Sequence, residues 1–144
     1  GLLGHSDGDL LCHAVADAIL GAAGLPDIGT LFPPSEERFR GIRSLDLLEE
    51  AVEMLQQGGH RVLSVDVVVN AQVPRLASRH GQICDSLSEV LFGGKEGGVS
   101  LKFKSGERSG DVGRGEAMRC WALARISCKG GVPGSLLDPG DEDW

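Results

Sequence analysis

The stretch from Arg61 to Ala71 constrains the fold more than any other part of the chain. Along it Val65, Val67 and Val69 fall on one side and Val68 on the other. β-Branched residues suit a pleated surface, and apolar residues on both faces suit a strand covered on both sides. The run is therefore expected to be a central strand, with Pro74 ending it.

The remaining segments are read by their periodicity around that strand. A helix is expected from about Asp9 to Gly21, where Leu11, Val15, Ala18, Ile19 and Ala22 repeat at helical spacing. Ser6 and Asp7 are its N-cap candidates, and Gly24 and Pro26 stop it. Residues Pro26 to Gly41 read as an irregular loop. Ser44 is expected to cap a second helix whose buried stripe is Leu47, Leu48, Ala51, Val52 and Leu55, ending at Gly58-Gly59. A third helix spans about Ser78 to Phe92, with Ile83, Leu87, Val90 and Leu91 inward. Val99, Leu101 and Phe103 alternate with polar residues, as in a half-buried strand, and a Gly-rich loop runs from Gly106 to Gly115. A last strand covers about Ala117 to Cys128, and no period is visible from Gly130 to Trp144. The expected fold is α+β, a mixed sheet with helices on one face, in one domain over residues 1–128 followed by a poorly ordered tail over 129–144.

Composition narrows the partners. A net charge of −7 and a pI near 5.0 argue against a nucleic-acid footprint and against docking on an anionic membrane. Aromatic residues make up 4% of the chain, with no Tyr, too few for a stacking platform along single-stranded nucleic acid. Cys12, Cys84, Cys120 and Cys128 show no Cys-x-x-Cys spacing, so buried free thiols in a reducing compartment are expected. No stretch approaches a membrane span. The chain opens on Gly1 in a dense polar motif, and it is expected to lack its natural beginning and to carry no signal peptide.

Four clusters could carry chemistry. In the first, His5-Ser6-Asp7-Gly8-Asp9 precedes His13 and Asp17. Asp9, His13 and Asp17 lie four residues apart and share one helix face. Carboxylates beside an imidazole can orient it toward a metal, or can simply make ordinary hydrogen bonds; one histidine does not make a zinc site. His5 and Ser6 stand where free N–H groups at a helix start favour an anion. The second cluster is Asp27-Ile28-Gly29 with Phe32-Pro33, readable alone as a capped turn. The third, Ala71 to Arg75, leaves the end of the central strand, where α/β folds often bind ligands. The fourth joins Lys102 to Glu107 with Gly113-Arg114-Gly115-Glu116, glycines that let backbone approach a ligand; it is not a Walker loop.

Taken in order, these runs closely resemble the 2-C-methyl-D-erythritol 2,4-cyclodiphosphate synthase family. The resemblance rests on Gly1 to Asp9, His13, Asp17, Asp27-Ile28-Gly29, Leu31-Phe32-Pro33, Phe39 with Gly41, Val65-Asp66, Ala71-Gln72 with Pro74, and Gly113 to Glu116, and covers about Gly1 to Cys128. It implies a homotrimer with active sites between subunits, in a bacterial cytoplasm or a plastid. It also implies a reaction in which 4-diphosphocytidyl-2-C-methyl-D-erythritol 2-phosphate closes on itself and expels CMP, in non-mevalonate isoprenoid synthesis. The implied cofactors are zinc, or another divalent cation, and magnesium or manganese on the substrate diphosphate.

Carried over by position, the resemblance makes His13 a zinc ligand and Glu107 the contact to the second ion. Two further zinc ligands belong to an Asp-x-His motif that does not occur ahead of Gly1 in this chain. His5 and Ser105 match residues that stabilise the transition state. Ser6, Asp27, Ile28, Gly29, Phe32, Pro33, Ser35 and Glu36 match positions around methylerythritol and phosphate. Ala71, Pro74, Arg75, Leu76, Ala77, Lys104, Ser105, Gly106, Glu107, Asp111 and Arg114 match the cytidine and diphosphate side. Against the family pattern, Ser105 stands for Thr, Arg75 for Lys, Pro34 for Asp, Asp111 for an aromatic residue, and Phe103-Lys104 for smaller or hydroxylated residues. The competing reading is a non-catalytic trimeric relative that binds phosphorylated or cytidine ligands.

Overall fold

The computed structural model describes residues 5–71, 77–95, 97–104 and 118–128, with backbone alone for 5–7. Helix α1 spans His5–Ala22, a short helix α2 Ile28–Leu31, and a 3-10 turn Glu37–Phe39. Helix α3 spans Ser44–Gln57, strand β1 His60–Asn70, helix α4 His80–Phe92, strand β2 Gly98–Lys104 and strand β3 Arg119–Cys128. The Ser105 to Ala117 segment, with the Gly-rich loop, and the tail lie outside the described residues.

β1 is the central strand, as its valines require: the sheet order is β2-β1-β3. β2 runs parallel to β1 and β3 antiparallel, so the described sheet is mixed. The parallel pair needs a crossover, and α4 supplies it. Register stacks one face in rows, Val65 between Val99 and Ala124, Val67 between Leu101 and Ala122, and Val69 between Phe103 and Cys120. Helices α1, α3 and α4 cover that face. Val15 and Ile19 of α1, Leu48 and Leu55 of α3, and Ile83 and Leu87 of α4 are fully buried with Val65, Val67 and Val69. Each such side chain contributes roughly 1.5–3 kcal/mol by leaving water.

Two glycines are demanded by this packing. Gly93 ends α4 in the left-handed conformation (φ +58°), with its N–H bonded to the Glu89 carbonyl at 3.0 Å. At Gly97 a Cβ would fall 2.2 Å from the Phe92 ring, so a side chain there would force that ring to move.

Several local expectations need correction. α1 begins at His5, ahead of the expected caps, so Ser6 and Asp7 are inside the helix. Ser44 is the first residue of α3 and does not cap it: its hydroxyl donates to Asp9 Oδ1 of α1, while Arg43 takes the cap position. The loop from Pro26 to Gly41 holds a helical turn and a 3-10 turn. The cysteines are free, as expected, but Cys12 alone is buried and the other three are half-buried. Burial pushes the Cys12 thiol up to about 12 and that of Cys120 to about 11, so both stay protonated at neutral pH.

Candidate active site

The first cluster is assembled by α1. His13 is half-exposed on its face, between Asp9 and Asp17, which are both exposed. Each carboxylate has a partner away from the imidazole. Asp9 accepts from Ser44, and Asp17 Oδ1 accepts the Ile28 N–H at 2.9 Å. Both carboxylates of this face therefore make ordinary hydrogen bonds. Asp17 fastens the Asp27-Ile28-Gly29 element to α1, a role the helical spacing alone did not reveal. The described part of α1 begins at His5. The side chains of His5 and Ser6 are outside the described residues.

Asp27 organises its own turn. Its Oδ1 accepts the Thr30 N–H at 2.9 Å, and hydrogen bonding from the Thr30 side chain, followed by this N–H, holds its carboxyl below the usual carboxylate range. Ile28 is half-buried and Gly29 exposed. The Phe32 ring lies in the core at 5% exposure, edge-on to Phe39 with centroids 5.3 Å apart. That leaves the backbone of Phe32 as the part able to meet a ligand. Pro33 is half-buried, Ser35 and Glu36 are exposed, and Glu36 lies 3.6 Å from Arg38.

The second group of candidates sits at the far ends of β1 and β2. The Ala71 N–H donates to the Lys104 carbonyl at 3.0 Å, so the parallel ladder runs on to its last pair. Lys104 and Ala77 are exposed. Pro74, Arg75, Leu76, Ser105, Gly106, Glu107, Asp111 and Arg114 lie outside the described residues. Within one chain, then, α1 and α2 hold His13 and Asp27 to Gly29, while β1, β2 and the start of α4 hold Ala71, Lys104 and Ala77.

A half-exposed imidazole such as His13 has the chemistry of a zinc ligand. Among the described residues, however, no three His, Cys, Asp or Glu side chains gather as a metal site. These residues fit one ligand position and not a whole zinc centre.

Comparison with known proteins decides the kinship. The model of the YgbB family matches residues 1–127. The chain belongs to the YgbB family. A YgbB-family relative, the 2-C-methyl-D-erythritol 2,4-cyclodiphosphate synthase of Synechococcus sp. (strain JA-2-3B'a(2-13)), is 46% identical over 127 residues, covering 88% of this chain and 80% of its own. The enzyme of the same name from Erwinia tasmaniensis is 44% identical over 126 residues, with 88% and 80% covered. Among solved structures, the CDP complex of IspF from Plasmodium falciparum superposes with a TM-score of 0.72 at 35% identity, covering 88% of this chain and 76% of that one. A CDP-bound 2C-methyl-D-erythritol-2,4-cyclodiphosphate synthase gives 0.72 at 33% identity, with 87% and 80% covered. No described helix is long and apolar enough to cross a membrane.

Proposed function

We propose that this YgbB-family chain is a 2-C-methyl-D-erythritol 2,4-cyclodiphosphate synthase of the non-mevalonate route. The observation that carries the reading is a conjunction. Family similarity runs through residues 1–127, and within it α1 holds His13 and, through Asp17, the Asp27-Ile28-Gly29 turn.

In the reaction, an oxygen of the 2-phosphate attacks the β-phosphorus of 4-diphosphocytidyl-2-C-methyl-D-erythritol 2-phosphate. The new P–O bond closes the cyclic diphosphate. The bond from the β-phosphorus to the bridging oxygen breaks, and CMP leaves with that electron pair. Such a transfer asks mainly for positioning and for neutralising charge on phosphoryl oxygens. The N–H groups opening α1 and the His5 imidazole are the donors assigned to the phosphates, with Ser6 and Asp27 to Glu36 around the methylerythritol. Ala71 to Ala77, Lys104 to Glu107, Asp111 and Arg114 are assigned to the cytidine and diphosphate side, and the CDP-bound relatives support nucleotide binding by this fold. Zinc at His13 and a second divalent ion at Glu107 would supply electrostatic polarisation of the phosphates when bound.

A homotrimer belongs to the same proposal. On the sheet face turned away from the helices, Trp121 and Leu123 are 55% and 75% exposed. Apolar side chains in that position call for cover, and copies of the same chain around a closed axis would supply it. The two groups of site residues, held by different elements of one chain, would then meet across subunits.

The test is direct. The full-length chain with Mg2+ and the cytidyl substrate should release CMP and yield the cyclic diphosphate by phosphorus NMR. Ser105→Ala should lower turnover by about a hundred- to a thousand-fold, as loss of a transition-state donor does, and weaken CMP binding much less. CMP bound without any turnover by the intact chain would instead favour the binding-protein reading.

A further inference from the structure

His80, in the first turn of α4, makes a contact that the reading above leaves unused. Its Nε2 lies 2.7 Å from the Leu101 carbonyl oxygen on β2. A carbonyl can only accept, so Nε2 carries the proton and donates it, leaving Nδ1 for a second partner. The Cys84 thiol stands 3.9 Å from that Nδ1. Burial raises the thiol's pKa, with Asp85 adding to the effect, so Cys84 remains a weak donor. The ring also meets Phe103 edge-on, with centroids 6.1 Å apart.

The accepting carbonyl is on an edge. Lys104 turns its carbonyl toward β1, where the Ala71 N–H reaches it. Carbonyls alternate sides along a parallel strand, so that of Leu101 faces away from β1. β2 is the outer strand of the described sheet, and such a carbonyl needs a partner from elsewhere. His80 follows Ala77 by three residues, and Leu101 precedes Lys104 by three. One side chain therefore ties the segment entering α4 to the segment leaving β2.

We infer that His80 is a positioning residue for the nucleotide side of the site, holding Ala77 and Lys104 in register so that the cytidine diphosphate part of the substrate is bound. The inference rests on the proposed function, which assigns both segments to that ligand. It predicts an effect on binding more than on chemistry, because the contacts of His80 are to Leu101, Cys84 and Phe103 of the scaffold.

The experiment compares His80→Leu, which keeps bulk and loses the donor, with His80→Gln, whose side-chain amide can still donate to Leu101. Steady-state kinetics on the full-length enzyme should show KM for the cytidyl substrate raised about five- to tenfold in His80→Leu, the size of one lost hydrogen bond, with kcat within about twofold. The Kd for CDP by calorimetry should rise in parallel, and His80→Gln should recover most of both. Unchanged KM and CDP affinity in a folded His80→Leu protein overturns the inference, and so does a His80→Gln variant as impaired as His80→Leu. Should His80→Leu not fold, Phe103→Leu decides: a raised KM supports positioning through this ring, and an unchanged KM overturns it. Wild-type protein that binds CDP without releasing CMP overturns the functional reading and leaves the CDP comparison to judge His80. Wild-type protein that does neither overturns both.

Discussion

Asp17 Oδ1 accepts the backbone N–H of Ile28 at 2.9 Å, one helical turn beyond His13. The bond joins residues eleven apart in sequence and sets the Asp27-Ile28-Gly29 turn against the helix that carries the candidate metal ligand. Asp17→Ala should free that turn, while Asp17→Asn keeps an acceptor. The alanine variant is expected to lose about 1 kcal/mol of stability, roughly 2–4 °C in Tm for a chain of this size. It should also raise KM for the cytidyl substrate. Thermal unfolding and kinetics of both variants check this, and equal KM values for Asp17→Ala and wild type would refute the clamp.

Much of the scaffold was legible because its signals are local. The valines of β1 are apolar on both sides, and the strand is central. Leu47, Leu48, Ala51, Val52 and Leu55 repeat at helical spacing, and all five are buried. What escaped depends on distant partners. Ser44 reads as a cap because short hydroxylated residues usually cap, yet its hydroxyl goes to Asp9, thirty-five residues away. Ser6 and Asp7 look like a helix boundary, but α1 runs through them. His80 is one of several polar residues in its helix, and only the fold puts Leu101 beside it. The candidate site was legible by family resemblance more than by spacing, since no single cluster specifies phosphoryl transfer.

On the outer sheet face, Lys102 Nζ lies 2.6 Å from Asp66 Oδ1 and 2.9 Å from Ser100 Oγ. The hydrogen bond from Lys102 holds the Asp66 carboxyl below its ordinary value of 3.8. A carboxyl with a depressed folded pKa stabilises above its unfolded value, and that contribution disappears as pH falls through the lower folded value. Lys102→Met should therefore unfold at a lower temperature than wild type at pH 7, with the gap closing below about pH 4. Both side chains are about half exposed, so the gap should be small and should shrink in salt. A gap that persists unchanged at pH 2.5 would point to lost packing instead.

His13→Ala is expected to lower bound zinc in the full-length protein while leaving the fold intact, because His13 is half-exposed and lies outside the buried core. A histidine on a helix surface can be removed without opening a cavity, so circular dichroism and Tm should change little. Elemental analysis after dialysis is the readout. Equal zinc content in the variant and wild type would remove His13 from the metal assignment.

The sheet face opposite the helices makes the case for assembly. Trp121 stands opposite Val68 and Leu123 opposite Asp66, so an apolar strip crosses a face otherwise lined by Ser64, Ser100, Lys102 and Arg125. Within one chain Leu123 is three-quarters exposed and contributes little to folding. In a trimer packed on this face it would be buried three times over. Leu123→Lys separates the two situations. Across the strands the new cation meets Asp66, an opposite charge that the pairing tolerates. Between copies, three such cations would approach one axis, where unpaired charge taken out of water is strongly unfavourable. The variant should keep its helical circular dichroism signal and fall from three-chain to one-chain mass in light scattering at micromolar concentration. Turnover should fall with it if the site is shared between subunits. A wild-type protein of one-chain mass, or a variant that remains trimeric, would show that this face is not the one that assembles.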